Sequence, residues 1–316
     1  MVANTRPPLP RRKIAKIDHY RWLRSDGTPN FSNSLHRFDR EITYLIKSPD
    51  THVTPTTTIM KTIEEMHNYL RTVPVVVANR LVGVVASMDV VNYLGGGELF
   101  QIIERRHGYD VYSALYRERT ESIMETNLIV SHPNDRITDV VSKMLYSRIG
   151  FLPVVDRDYN LLGVLTEHDI VKHLYGLVKT GIKVSEIMSK PVVVIDANKT
   201  IREAMVKMVT YGFRRLPITE GDLVVGIVTS MDIVRFFATH EAFKYATTRD
   251  IREIHGTVLK EITQRDIVAV KPNEDVSRVI QEMMDKNVDS AMVVNEEGVL
   301  EGIVTERDIL YVLTTH

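Results

Sequence analysis

Four aspartates stand in nearly the same words along the chain: GVVASMDV at 83–90, GVLTEHDI at 163–170, GIVTSMDI at 226–233 and GIVTERDI at 302–309. Two kinds of chemistry suit Asp89, Asp169, Asp232 and Asp308. A Thr-x-x-Asp before an apolar run is a capping-box pattern, in which hydroxyl and carboxylate satisfy first-turn amides and the acid sits at the positive end of the helix. The same carboxylate has two oxygens that can accept from both hydroxyls of a ribose diol. Residue types alone leave both readings open. Catalysis has little support: the sequence holds no Gly-rich loop ending in Lys-Ser/Thr, no His-Glu-x-x-His and no nucleophile elbow. His168 beside Asp169 is a single pair on a repeated scaffold, so the chain is expected to be no enzyme, with no metal and no required cofactor.

The elements that must hold these acids recur with them. The aspartates lie 80, 63 and 76 residues apart, too far for a short solenoid unit and far enough for a small domain each. In the third copy a β-rich run (PVVVI, 191–195) precedes an apolar helical pattern at Ile201, Met205, Met208 and Val209. Two strands, RRLPITE and VVGIVT, then flank a Gly-Asp turn, and SMDIVRFFATH reads as a second helix. The order is β-α-β-β-α, and the other copies follow it. Helical segments at about 98 to 123 and 236 to 255 separate the copies within each half, whereas the join near 180 to 188 is short. The chain therefore reads as two pairs of repeats.

Composition fits a globular protein: 316 residues, 44% hydrophobic against 26% charged, and a net charge of -1 that gives no global case for nucleic acid or membrane. Cysteine is absent, which excludes disulfides and thiolate sites and points to a cytoplasmic setting. No apolar run has the length of a membrane span. Residues 1–47 match no repeat; they carry ten Lys or Arg against four acids and the one tryptophan, Trp22, and part of this arm is expected to be flexible.

The β-α-β-β-α unit, with h-P-h-h in its middle strand and G-h-h-T-x-x-D before its last helix, resembles the cystathionine-β-synthase (CBS) domain. Four copies in one α/β chain resemble the gamma subunit of AMP-activated protein kinase and archaeal stand-alone proteins of the same build. The divisions expected are a basic extension at 1–47, CBS domains at 48–96, 124–178, 185–240 and 258–316, and linkers at 97–123 and 241–257.

The resemblance implies two stacked pairs forming a disc, with AMP, ADP or ATP as ligand in clefts between paired domains. It assigns ribose to Asp89, Asp169, Asp232 and Asp308, and the neighbouring hydroxyl to Thr166, Thr229 and Thr305. The first copy has Ala86 there, which counts against its pocket. It assigns phosphate to Arg71, Arg214 and Arg215 before the middle strands and to His168 and Arg307 beside the acids. Adenine would lie against Asn127, Leu128 and Ile129, against Pro191, Val192 and Val193, and against Asp266, Ile267 and Val268. The implied role is an energy-sensing regulator of a protein partner that the sequence does not name, as a monomeric disc or a dimer of discs. The rival readings are a sensor of another adenosyl ligand such as S-adenosylmethionine, and a nucleic-acid-binding protein using the basic arm, against which the arm's shortness counts.

Overall fold

The computed structural model describes residues 23–24, 28–37, 39–49, 51–177, 181–263 and 267–315. The start of the basic arm with Trp22, and Asp266 of the fourth repeat, lie outside the described residues. In repeat one, helix α1 (Ile59–Asn68) begins at Thr58, whose side chain accepts from the Lys61 amide, and it buries Ile59, Ile63 and Met66 on one face. Strands β1 (Thr72–Val77) and β2 (Arg80–Ala86) pair antiparallel. Their turn, Ala78-Asn79, has both residues at positive φ, the backbone that matches the twist of a two-residue hairpin. Helix α2 (Ser87–Val91) follows and unwinds through Gly95. The join to repeat two carries α3 (Phe100–His107) and α4 (Val111–Tyr116).

Repeat two repeats the plan with α5 (Ile137–Ser147), the antiparallel pair β3 (Phe151–Val155) and β4 (Leu161–Thr166), and α6 (Glu167–Leu174). Repeat three has β5 (Ile195–Asp196), α7 (Ile201–Tyr211), β6 (Arg215–Glu220), β7 (Leu223–Thr229) and α8 (Ser230–Ala238). Repeat four has β8 (Ala269–Val270), α9 (Val276–Asp285), β9 (Ser290–Val294), β10 (Leu300–Thr305) and α10 (Glu306–Thr315).

The first strand of each unit is shorter than the sequence pattern suggests. The run 191–195 has the composition of a strand, but pairing begins only at Ile195, parallel to β6. In repeats one and two this strand shrinks to single bridges, Val53 to Val75 and Ser131 to Val154. One reason is local: Pro191 has no amide to donate, and the Val194 carbonyl accepts from Lys207 Nζ at 2.6 Å.

Two kinds of contact join the repeats. Within a pair, the sheets meet: the Leu81 amide donates to the Tyr159 carbonyl and the Leu161 amide to that of Asn79, both at 2.9 Å. Val76, Leu81, Val155 and Leu161 close that seam between repeats one and two, and Ile227, Met292 and Val294 close its counterpart between three and four. Across pairs, the helices meet. One core runs through repeats one and three, with Ile63, Leu94, Met205 and Phe237; a second runs through two and four, with Val141, Ile170, Val279 and Leu310. The four repeats thus form a ring in the order one, two, four, three. Gly96 belongs to the first helical seam, where a Cβ would sit 2.8 Å from the Met205 carbonyl oxygen. Only glycine allows that approach.

The segments leading into the repeats are exchanged within each pair. Residues 40–47 lie on repeat two, with the Ile42 amide on the Asp135 carbonyl and Lys47 paired with Val164. Residues 119–125 lie on repeat one, 183–189 on repeat four and 257–259 on repeat three. Each repeat is completed by its partner's leader, which makes the pair the folding unit.

Candidate functional site

The helix beginning after β2, β4, β7 or β10 starts at the same capping device. An Asp89 oxygen accepts from the Ala86 amide at 2.8 Å, and Asp169, Asp232 and Asp308 accept likewise from Thr166, Thr229 and Thr305 at 2.9, 2.8 and 2.8 Å. Thr166, Thr229 and Thr305 also donate their hydroxyls to the same carboxylate oxygen. Ala86 lacks that bond, yet the backbone half of the cap survives. The other oxygen distinguishes the copies. Asp169 takes Lys47 from the exchanged leader, Asp232 takes Arg235 one turn on at 2.9 Å, and Asp308 takes the Ser189 hydroxyl at 2.8 Å.

Two cavities flank the centre of the ring. The larger, about 370 Å³, lies between repeats one and two and is lined by Asp89, Asn127, Leu128, Ile129, Phe151 and Pro153. The smaller, about 260 Å³, lies between repeats three and four and is lined by Thr229, Met231, Ile267, Val268, Asp289 and Met292. Asp89 is on the wall of the first; Asp169, Asp232 and Asp308 are on the wall of neither. Pro191, Val192 and Val193 also lie off both walls.

Four of the five cations named in the sequence converge here, and His168 lies on neither wall. Arg71 and Arg214 line both cavities, Arg307 the larger and Arg215 the smaller. Four arginines, drawn from repeats one, three and four, thus face one centre. They do not face it uncompensated. Glu167, only 2% exposed, takes Arg307 at 2.7 Å and Arg214 at 3.5 Å. Asp289 takes both Arg71 and Arg215. His168 Nδ1 lies 2.7 Å from Glu306. Helices α6 and α10 therefore meet N-terminus to N-terminus, the first-turn acid of each holding the next-position base of the other. The corresponding ends of α2 and α8 meet through a neutral contact, Ser87 Oγ to Ser230 Oγ at 2.7 Å.

Sequence reasoning missed Glu167 and Glu306 because an acid in a first helical turn is ordinary. It also missed Arg148, on the wall of the larger cavity at the left-handed C-cap of α5.

The electrostatics follow from packing. Burial alone would raise the Asp289 pKa, but Arg215, Arg71 and Arg214 outweigh it and hold the carboxyl well below the usual range. Burial and the neighbouring Arg215 push Arg214 down to about 10. For Arg307 the pull of Glu167 overcomes burial, and its pKa is raised. Arg71, Arg214 and Arg307 are charged at neutral pH. Among the described residues no group of His, Cys, Asp and Glu is placed to hold a metal ion, and no helix is long and apolar enough to cross a membrane.

The CBS-domain profile matches residues 41–96, 121–176, 184–239 and 259–315. Protein MJ1225 of Methanocaldococcus jannaschii is 31% identical over 261 residues, 82% of this chain and 93% of that one. Its crystal structure, described as that of a proposed archaeal homolog of g-AMPK, superposes with a TM-score of 0.82 over 85% of this chain and 98% of that one, at 30% identity. A 33.4 kDa protein from a ribosomal RNA operon of Thermofilum pendens is 32% identical over 244 residues, 77% of this chain and 80% of its own. Four matched units, their ring-like arrangement and these relatives agree: the chain belongs to the CBS-domain family and resembles its four-domain archaeal and AMPK-gamma-like members.

Proposed function

We propose that this protein is a non-catalytic regulator that binds AMP, ADP or ATP in the cleft between repeats one and two. The observation carrying this reading is the composition of that cavity's wall: a carboxylate for the ribose in Asp89, the apolar Leu128, Ile129 and Phe151 with the amide of Asn127 for the base, and Arg71, Arg214 and Arg307 for phosphate. Its volume of about 370 Å³ falls in the range of small-molecule sites. Guanidinium is the side chain best suited to phosphate, being planar, always charged and able to donate in parallel pairs. The likeness to a proposed g-AMPK homolog agrees with this reading.

Regulation follows from where the arginines come from. A nucleotide held by repeats one and two would place its phosphates against side chains of repeats three and four. Phosphate would compete with Glu167 for Arg214 and Arg307, so binding would bias how the two pairs sit against each other. A ligand shifts such an equilibrium only by its differential affinity for the two arrangements, and the competing carboxylates supply that difference. The reader of that state is a partner protein, and the disc needs no second chain to complete the cleft.

Calorimetry on ligand-free protein tests the proposal. At about 100 times the dissociation constant, one site adds about 2.7 kcal/mol of stability, which raises the melting temperature by roughly 4 °C in a chain of this size. Flat titrations and unchanged melting with all three nucleotides would remove it.

A further inference from the structure

The two cavities share Arg71 and Arg214, and among the side chains in which their walls differ one position bears directly on these arginines. At the position before the middle strand, repeat two has Gly150 and repeat four has Asp289. A Cβ at Gly150 would lie 2.7 Å from Glu167 Oε2, so the bare backbone there leaves Glu167 room beside Arg214, and Glu167 itself is off the wall of the larger cavity. Asp289 does the reverse. It stands on the wall of the smaller cavity, with its carboxylate on Arg71 and Arg215.

The fit of that internal ion pair is incomplete. Arg215 has a side chain only 10% exposed, yet its Nε is buried with no hydrogen-bond partner while Nη2 is bonded to Asp289. Asp289 thus compensates the charge of Arg215 through Nη2 alone. The wall also carries the apolar Ile227, Met231, Ile267 and Met292, beside the polar Thr229, Ser230, Asn287 and Ser290.

We propose that Asp289 is a built-in anion occupying the phosphate position of the cleft between repeats three and four. This cleft therefore admits an adenosyl ligand without a phosphate, whereas the cleft at Asp89 takes the nucleotide. The inference rests on the reading of the disc as an adenosyl-ligand protein. Its physical basis is like-charge exclusion: a phosphate brought to Arg215, which lines the smaller cavity alone, meets a carboxylate already bound there, and two anions cannot share the site without one losing its charge or its place.

Methionines on the two walls provide the readout in the full, unaltered chain. Met88 lines the larger cavity; Met231 and Met292 line the smaller. With ¹³C-methyl-labelled methionine, AMP should shift Met88 at a concentration at least about tenfold below that needed for Met231 and Met292, and adenosine should shift Met231 and Met292 without this lag. That gap corresponds to one lost charge-assisted contact. In Asp289→Asn the AMP midpoints at the two sites should converge, while adenosine is unchanged. Equal AMP midpoints in the wild type would overturn the proposal, as would an Asp289→Asn protein that folds and keeps the tenfold gap. A Met88 signal that no adenine nucleotide moves would instead count against the proposed nucleotide cleft, separately from the behaviour of Met231 and Met292 with adenosine.

Discussion

The cleft between repeats one and two and the cleft between repeats three and four are built on one plan and share two arginines, yet their walls differ. The first presents Asp89 and keeps its balancing acid, Glu167, behind the arginines; the second presents Asp289 in front of them. In a fourfold repeat the fold gives each pair a cleft. Which cleft can take an anion is decided by where a carboxylate stands relative to the guanidiniums, a matter of one or two side chains.

The largest expected effect comes from removing the hidden acid. Glu167→Ala strips Arg214 and Arg307 of their shared partner in a buried centre, and losing one member of such a network costs about 3 to 5 kcal/mol. Thermal melting should show this loss, and inorganic phosphate should restore more stability to the variant than it adds to the wild type. An unchanged melting temperature would mean that the two arginines are held by something other than Glu167.

Asp89→Asn comes next. Asparagine keeps an oxygen for the Ala86 amide, so as a helix cap the loss should be no more than about 1 kcal/mol. Nucleotide affinity should fall by roughly 10- to 150-fold, the equivalent of 1.5 to 3 kcal/mol of charge-assisted hydrogen bonding. Asp232→Asn is the control, because its carboxylate is tied to Thr229 and Arg235 and lies on neither wall. If both variants bind with wild-type affinity, the repeated aspartates are caps alone.

Acid should distinguish the centres more gently. The folded-state pKa of Asp289 is depressed, so the folded protein binds fewer protons than the unfolded chain near pH 4. Its stabilisation is fully present above the unfolded value and is lost as pH falls through the folded one. Below about pH 4 the wild type should therefore lose stability more steeply than Asp289→Asn. Parallel denaturation profiles would contradict the ion pair.

The smallest effect is at the exchanged leader. Lys47 reaches Asp169, but 63% of its side chain is exposed and solvent screens the pair. Lys47→Ala should cost no more than about 1 kcal/mol. A larger loss in melting would show that residues 40–47 dock through this contact rather than through the burial of Ile42 and the backbone bonds to repeat two.

Much of this was open to sequence reasoning. Four recurrences of G-h-h-T-x-x-D, each after a strand pair and before an apolar helix, are local signals, since caps and periodicities depend on neighbours in the chain. Arg71, Arg214, Arg215, His168 and Arg307 follow from the resemblance to AMPK gamma subunits, at positions where a scaffold alone has no use for charge. Other features had no such mark. Glu167 and Glu306 look like routine first-turn acids until α6 and α10 are brought end to end. Asp289 looks like the absence of an arginine until Arg71, more than two hundred residues away in the chain, arrives beside it. The sequence by itself determined the repeat and the caps, because these depend on residue type and short-range spacing. Only the tertiary structure decided which acid faces which cation, which of four equivalent aspartates borders one of the two cavities, and on which wall Asp289 stands, because burial and pairing are set by contacts between repeats far apart in the chain.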